Sequence, residues 1–161
     1  MSKSVRRKPS HGAVAVLVED EKFLVIRRSR LVRAPNMLCF AGGTIEIGEQ
    51  PEETIVRELK EELSLDATAV RHVFQNRTSW GTLLEWVLVE RHENSQPIAN
   101  PAEVSEWMWL TASELLDRHD LLPSVPDFFW AWATGQLEMP ERAGTPESKW
   151  KFIKPNGRLV N

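Results

Sequence analysis

Three glutamates, Glu58, Glu61 and Glu62, stand at positions i, i+3 and i+4 of the stretch IVRELKEEL. On a helix these are neighbours on one face, where like charges cost roughly 0.2–0.5 kcal/mol per pair. Two readings follow: a solvated acidic face, or a cluster that shares a positive partner. Hard divalent cations take oxygen ligands, and Mg²⁺ commonly joins one or two carboxylates to substrate phosphates. The cluster therefore points toward phosphate chemistry. Glu52 and Glu53, a turn earlier, read differently, as surface residues that suit the N-terminal end of the helix dipole.

The helix that must carry the cluster is predicted to begin at Pro51, whose missing N–H costs little in a first turn. At about 100° per residue, Ile55, Val56, Leu59 and Leu63 form one apolar stripe for packing on a sheet, with the three glutamates in a separate stripe beside it. Upstream, AVAVLV (13–18) and FLVIRR (23–28) read as a β-hairpin turning at Asp20-Glu21. MLCF (37–40) reads as a further strand broken by Ala41-Gly42-Gly43, with extended structure resuming over 44–46. Downstream, 67–78, 82–91 and 106–110 read as strands, 92–102 as a polar loop, Thr111-Ala-Ser-Glu114 as a capping box opening a helix, and 127–134 as a last helix stopped by Gly135.

The chain has 161 residues, with 42% hydrophobic and 27% charged residues, enough for one domain with a real core. A net charge of −3 lacks the basic surplus of a nucleic-acid binder. Lone Cys39 sits in an apolar run and reads as a buried, inert thiol. With no apolar run of membrane-spanning length and no h-region behind the basic start, the expectation is a cytoplasmic protein with no membrane partner. The expected organisation is a flexible basic N-terminus (1–10), one domain (11–138) and a C-terminal tail (139–161) that either covers a neighbouring subunit's site or stays disordered.

Residues 43–65 match the Nudix hydrolase signature G-x5-E-x7-R-E-U-x-E-E-x-G-U, where U is bulky and apolar, through Gly43, Glu49, Arg57, Glu58, Leu59, Glu61, Glu62 and Leu65. Ser64 replaces the second glycine. A glycine there serves a left-handed residue after the helix, and serine in that conformation costs about 1 kcal/mol. Within the family, Ile26-Arg27-Arg28, the run from Asn36 into Gly42-Gly43, and Leu88–Arg91 followed by Glu106-Trp107 resemble the MutT-type branch, which cleans oxidised nucleoside triphosphates. The likeness covers residues 11–134.

The resemblance implies an α+β Nudix fold, an α/β/α sandwich around a central mixed sheet. It implies a pyrophosphohydrolase that cleaves a nucleoside diphosphate linked to another group, with Mg²⁺ as cofactor and Mn²⁺ able to substitute. Glu58, Glu61, Glu62 and the Gly42 carbonyl would hold the metal. Arg57 would orient the carboxylates and Glu49 brace the loop. Glu106 is the expected general base, with Glu103 as the alternative. Arg28, Asn36 and Ser124 are the expected substrate contacts. Ser124 stands where the MutT-type pocket has an asparagine, which weakens an oxidised-dGTP assignment. Trp80 and Phe74 are candidates for stacking on a base. The coenzyme A, NADH and ADP-ribose branches lack their accessory motifs here. Dinucleoside polyphosphates and nucleotide sugars are the alternative substrates. A catalytically idle nucleotide-sensing module and an isoprenyl diphosphate isomerase are the alternatives of another class. The expected partner is a small-molecule nucleotide, with no stable nucleic-acid complex and room for a homodimer.

Overall fold

The structure, a computed structural model, describes residues 10–153, residue 155 and the backbone of 158–159. The basic segment 1–9, expected to be a flexible lead-in, lies outside the described residues. β1 (His11–Val16), β2 (Val18–Glu19) and β3 (Lys22–Arg28) follow one another, with the hairpin turning where expected. Asp20 and Glu21 both take positive φ, 48° and 62°, as two-residue turns that match strand twist require.

β4 (Leu38–Cys39) adds to β3, whereas β5 (Gly42–Thr44) adds to β1. Within Phe40-Ala41 the chain thus leaves one sheet and joins another. The glycine pair was expected to break the strand, but it is part of β5. A Cβ on Gly42 would stand 2.2 Å from the Ala13 carbonyl oxygen, and one on Gly43 would stand 2.3 Å from a Glu58 carboxylate oxygen. The neighbouring strand leaves room only for glycine at 42, and a side chain at 43 would displace the Glu58 carboxylate.

β6 (Ala67–Arg77), β7 (Leu83–Arg91) and β8 (Val104–Thr111) complete the main strands. The first sheet runs β5-β1-β7-β6, with β9 (Arg158–Leu159) at its far edge, and it is mixed because β1 and β7 are parallel. The second is built on β3, which pairs with β2, β4 and β8. The architecture is the expected α+β one, with the strands divided between two sheets.

α1 (Pro51–Leu63) packs on the first sheet. Gln50 and Glu53 form a reciprocal capping box before Pro51. At the other end Ser64 is left-handed (φ 48°), its N–H donates to Lys60 O, and the Leu65 N–H donates to Leu59 O, an ending of the αL type. Ile55, Leu59 and Leu63 are buried as expected, but Val56 is 39% exposed, while Glu58 and Glu62 are buried. The carboxylates are not a solvated stripe beside the core. The close backbone of Gly42-Gly43 leaves room for them under the helix.

α2 (Ala112–Leu116) starts at the predicted Thr111–Glu114 capping box. α3 (Ser124–Ala133) starts three residues earlier than expected, with Pro123 at its N-cap. Its aromatic residues join the two sheets: Phe128 stacks on Trp86 of β7 at 4.9 Å, and Phe129 meets Phe23 of β3 edge-on at 5.1 Å. Each such pair contributes about 0.5–1.5 kcal/mol beyond its buried area. As far as residue 153 the tail folds back onto its own chain. Trp150 is buried, stacks on Phe129 at 4.9 Å, and its indole N–H donates to Ala112 O at 3.1 Å.

Candidate active site

The side chains of Glu58 and Glu62 lie one turn apart on the inner face of α1, both buried and both lining one cavity. The Gly42 N–H donates to Glu62 at 3.3 Å. Burial, foremost, pushes both carboxyls above the usual carboxylate range. Each is also raised by a neighbouring charge: Glu58, with a smaller push from Glu103, acts on Glu62, and Glu61 acts on Glu58. Arg57 is the nearest cation, 3.0 Å from Glu58.

Arg57 is the hub of the outer layer. Its guanidinium donates to Glu49 (2.8 and 2.9 Å), Glu58, Glu61 and the Thr44 carbonyl. Glu49 in turn accepts from the Glu46 N–H and from Thr54 Oγ1. These bonds, Arg57's foremost, bring the Glu49 carboxyl down to about 2. The strand end, the following loop and the helix are thereby tied into one unit. Glu61 is exposed and turned to Arg57 rather than into the Glu58–Glu62 pair. Among the described residues, no three or more acidic, histidine or cysteine side chains already stand close enough together to cage a metal ion. The donor set at the pair still fits a hard cation: oxygen-only, buried, and held at a like-charge contact that a cation would relieve.

A cavity of about 260 Å³ opens beside the pair, lined by Gly42, Gly43, Glu58, Glu62, Arg28 and Glu103 among others. It adjoins a larger cleft of about 540 Å³ through Arg28 and the glycine pair; Ser124, Phe40, Leu84 and Trp80 form its further walls. Arg28 therefore stands between the two spaces, its Nε held by Arg33 O at 2.7 Å. Ser124 is buried and lines the larger cleft.

Two expectations change. Glu106 pairs across the strands with Arg27 and binds its guanidinium at 2.6 Å; Arg27 also holds Asp120 at 3.0 Å. Because strand side chains alternate, Arg27 and Glu106 face away from Arg28 and the cavity. Glu103, just before β8 and beyond the Ser105 bulge where the register with β3 shifts, does line the cavity. Asn36 does not line either space. It takes a left-handed φ of 64°, its N–H donates to Arg28 O, and its carbonyl accepts from Arg27. Its backbone bonds tie down the loop after β3.

The sequence reading did not single out Arg33 or Glu85. Glu85, buried on β7, accepts from His11, His72 and Gln75. The one signal in the chain was a charged residue inside an otherwise apolar strand, LLEWVLV.

The NUDIX domain model matches residues 9–129, and the chain belongs to the Nudix hydrolase family. It is 36% identical over 112 residues to the 8-oxo-dGTP diphosphatase of Escherichia coli (strain K12), an alignment that covers 66% of this chain and 81% of that protein. It is 32% identical over 136 residues to the ADP-ribose pyrophosphatase of Bacillus subtilis (strain 168), covering 81% and 74%. In structure it resembles the MutT protein from Methanosarcina mazei Go1, with a TM-score of 0.67 at 17% identity over 83% of this chain and 99% of that one. The protein is thus an enzyme of the Nudix pyrophosphatase type. No helix among the described residues is long and apolar enough to cross a membrane.

Proposed function

We propose that this Nudix hydrolase is a Mg²⁺-dependent pyrophosphohydrolase of nucleotides, with nucleoside triphosphates or modified nucleotides as its main substrates. The observation that carries this is the buried Glu58–Glu62 pair facing Arg28 across a cavity that opens into a cleft large enough for a nucleoside. Glu58 and Glu62 would hold the cation, with Gly42 beside them and Glu61 completing the acidic face. When bound, Mg²⁺ would neutralise polyphosphate charge and activate water for attack on phosphorus.

The chain's own residues then divide the remaining work. Arg28 binds the phosphates by charge-assisted hydrogen bonds. Arg57 and Glu49 keep the carboxylates oriented. Glu103, rather than Glu106, accepts the proton of the attacking water, because it lines the cavity and Glu106 does not. Relatives named for 8-oxo-dGTP and for ADP-ribose share a nucleoside diphosphate, and both fit this division. The B. subtilis relative returns ADP-ribose to the substrates worth testing, although the sequence motif for that branch is lacking.

The test is a panel of nucleoside triphosphates, 8-oxo-dGTP, ADP-ribose, dinucleoside polyphosphates and nucleotide sugars with Mg²⁺ or Mn²⁺, read by product chromatography. The expected product from a triphosphate is the nucleoside monophosphate with pyrophosphate. An intact panel with both metals contradicts the proposal and favours an idle sensing module.

A further inference from the structure

Of the seven tryptophans, Trp80 alone is classed as exposed, at 54%. It sits at the tip of the β6–β7 turn, and that turn is not loose. The Thr78 N–H donates to Thr82 O at 2.8 Å, the Thr82 N–H to Thr78 Oγ1 at 2.9 Å, and the Gly81 N–H to Thr78 O at 3.0 Å. Arg77 clamps the Gly81 carbonyl at 3.1 Å. Gly81 has a φ of 92°, a conformation that L side chains rarely adopt. A well-bonded turn therefore presents an indole to water at the wall of the 540 Å³ cleft. The exposed indole offers a rigid flat face that a ligand in the cleft can cover.

The rest of the cleft is lined by apolar side chains (Phe40, Leu84, Leu122), by hydroxyls, chiefly Ser124 and Thr82, by His11, whose ring is bonded to Glu85, and by Arg28 and Arg33 at the end that adjoins the carboxylate cavity. Among the described lining residues there is no carboxamide or carboxylate. A hydroxyl rotates and can donate or accept, so it satisfies either edge pattern of a base. Stacking is equally tolerant, because every base has a π-face. We infer that Trp80 is the stacking platform for the nucleobase and that this site takes purine and pyrimidine nucleotides with little discrimination. The inference rests on the nucleotide reading above and adds how the base is held.

The experiment compares wild type, Trp80→Ala and Trp80→Phe on ATP, GTP, CTP, UTP and ribose 5-triphosphate, which keeps the phosphates but has no base. Wild-type kcat/KM is expected to vary by no more than about tenfold across the four bases, since stacking strength differs modestly among them. Trp80→Ala is expected to raise KM on the order of tenfold or more for all four nucleotides, with the loss in KM rather than kcat, and to affect ribose 5-triphosphate far less. Trp80→Phe should recover most of the loss. An unchanged KM in Trp80→Ala, an equal loss on ribose 5-triphosphate, or a preference for one base above about a hundredfold, the discrimination of a dedicated edge-reading site, overturns the inference. A binding arm is independent of turnover: titration with Mg²⁺ and α,β-methylene ATP should quench a tryptophan fluorescence component that Trp80→Phe lacks. If no nucleotide is hydrolysed but this quench persists, the hydrolase reading fails and the stacking inference stands; if the quench is absent, the inference fails.

Discussion

Two buried carboxylate sites on this protein meet opposite fates. Glu85 on β7 is surrounded by donors: His72 at 3.0 Å, His11 at 3.2 Å and Gln75 at 2.8 Å. Burial alone would raise its carboxyl, but the bonds from His11, Gln75 and His72 outweigh that and hold it below the ordinary range. Glu62 is equally buried, at 5% exposure, yet its nearest acidic partner is another glutamate and its carboxyl is pushed up. The first site has everything a buried carboxylate needs. The second sets two carboxylates side by side, of which Arg57 reaches only Glu58. A charge buried without full compensation is costly and is kept where it serves chemistry.

The comparison is tested most sharply by making the same substitution at both sites. Glu62→Gln should reduce turnover by about a hundredfold or more, as loss of a metal-holding carboxylate does. It should also abolish the rise in melting temperature that Mg²⁺ produces in the wild type. In metal-free buffer its stability should equal or exceed that of the wild type, because a neutral amide avoids the buried like-charge contact. A thermal melt with and without Mg²⁺ reads both effects.

Next in size is the base. Glu103→Gln should cost about a hundredfold in kcat, within the usual range for a general base. Glu106→Gln should remain within about threefold, because it breaks only an exposed ion pair with Arg27. The reverse order would restore Glu106 and remove Glu103 from the mechanism.

Glu85→Gln is expected to lower stability by about 2 kcal/mol at neutral pH, the scale of hydrogen bonds to a charged group. The sign of its pH dependence follows from linkage. The folded carboxyl lies below its ordinary value of 4.5, so its contribution is present above that value and fades as pH falls through the folded pKa. Denaturation curves of the two proteins should therefore converge in acid. Equal destabilisation by Glu85→Gln and Glu62→Gln would erase the distinction between the sites.

The smallest expected effect separates stability from chemistry. Ser64 holds a left-handed conformation at the end of α1. Ser64→Gly should stabilise the fold by about 1 kcal/mol and leave turnover unchanged, as measured by melting temperature and initial rate.

Much of the site was legible because its residues are local. Glu58, Glu61, Glu62, Arg57 and Glu49 lie within one short loop and helix, and helical periodicity alone brings them near each other. The left-handed Ser64 and the Thr111–Glu114 box were legible for the same reason. What failed was long-range. The burial of Glu58 and Glu62 depends on how closely Gly42-Gly43 approach α1. Which of Glu103 and Glu106 lines the cavity depends on a bulge in the pairing of β3 with β8, and a one-residue shift in a strand reverses which face a side chain takes. Asn36 was named as a substrate contact through the resemblance; its left-handed φ and its backbone bonds to Arg27 and Arg28 are set by the loop after β3, which no spacing in the sequence displays.

By itself, then, the sequence determined the family, the helix and the acidic face that a cation would join, since periodicity and capping act over a few residues. The tertiary structure decided which of those carboxylates are buried, which distant glutamate reaches the cavity, and that Trp80 stands at the wall of the cleft. Those outcomes depend on strand register and on the close approach of backbones far apart in the chain, which no local pattern encodes.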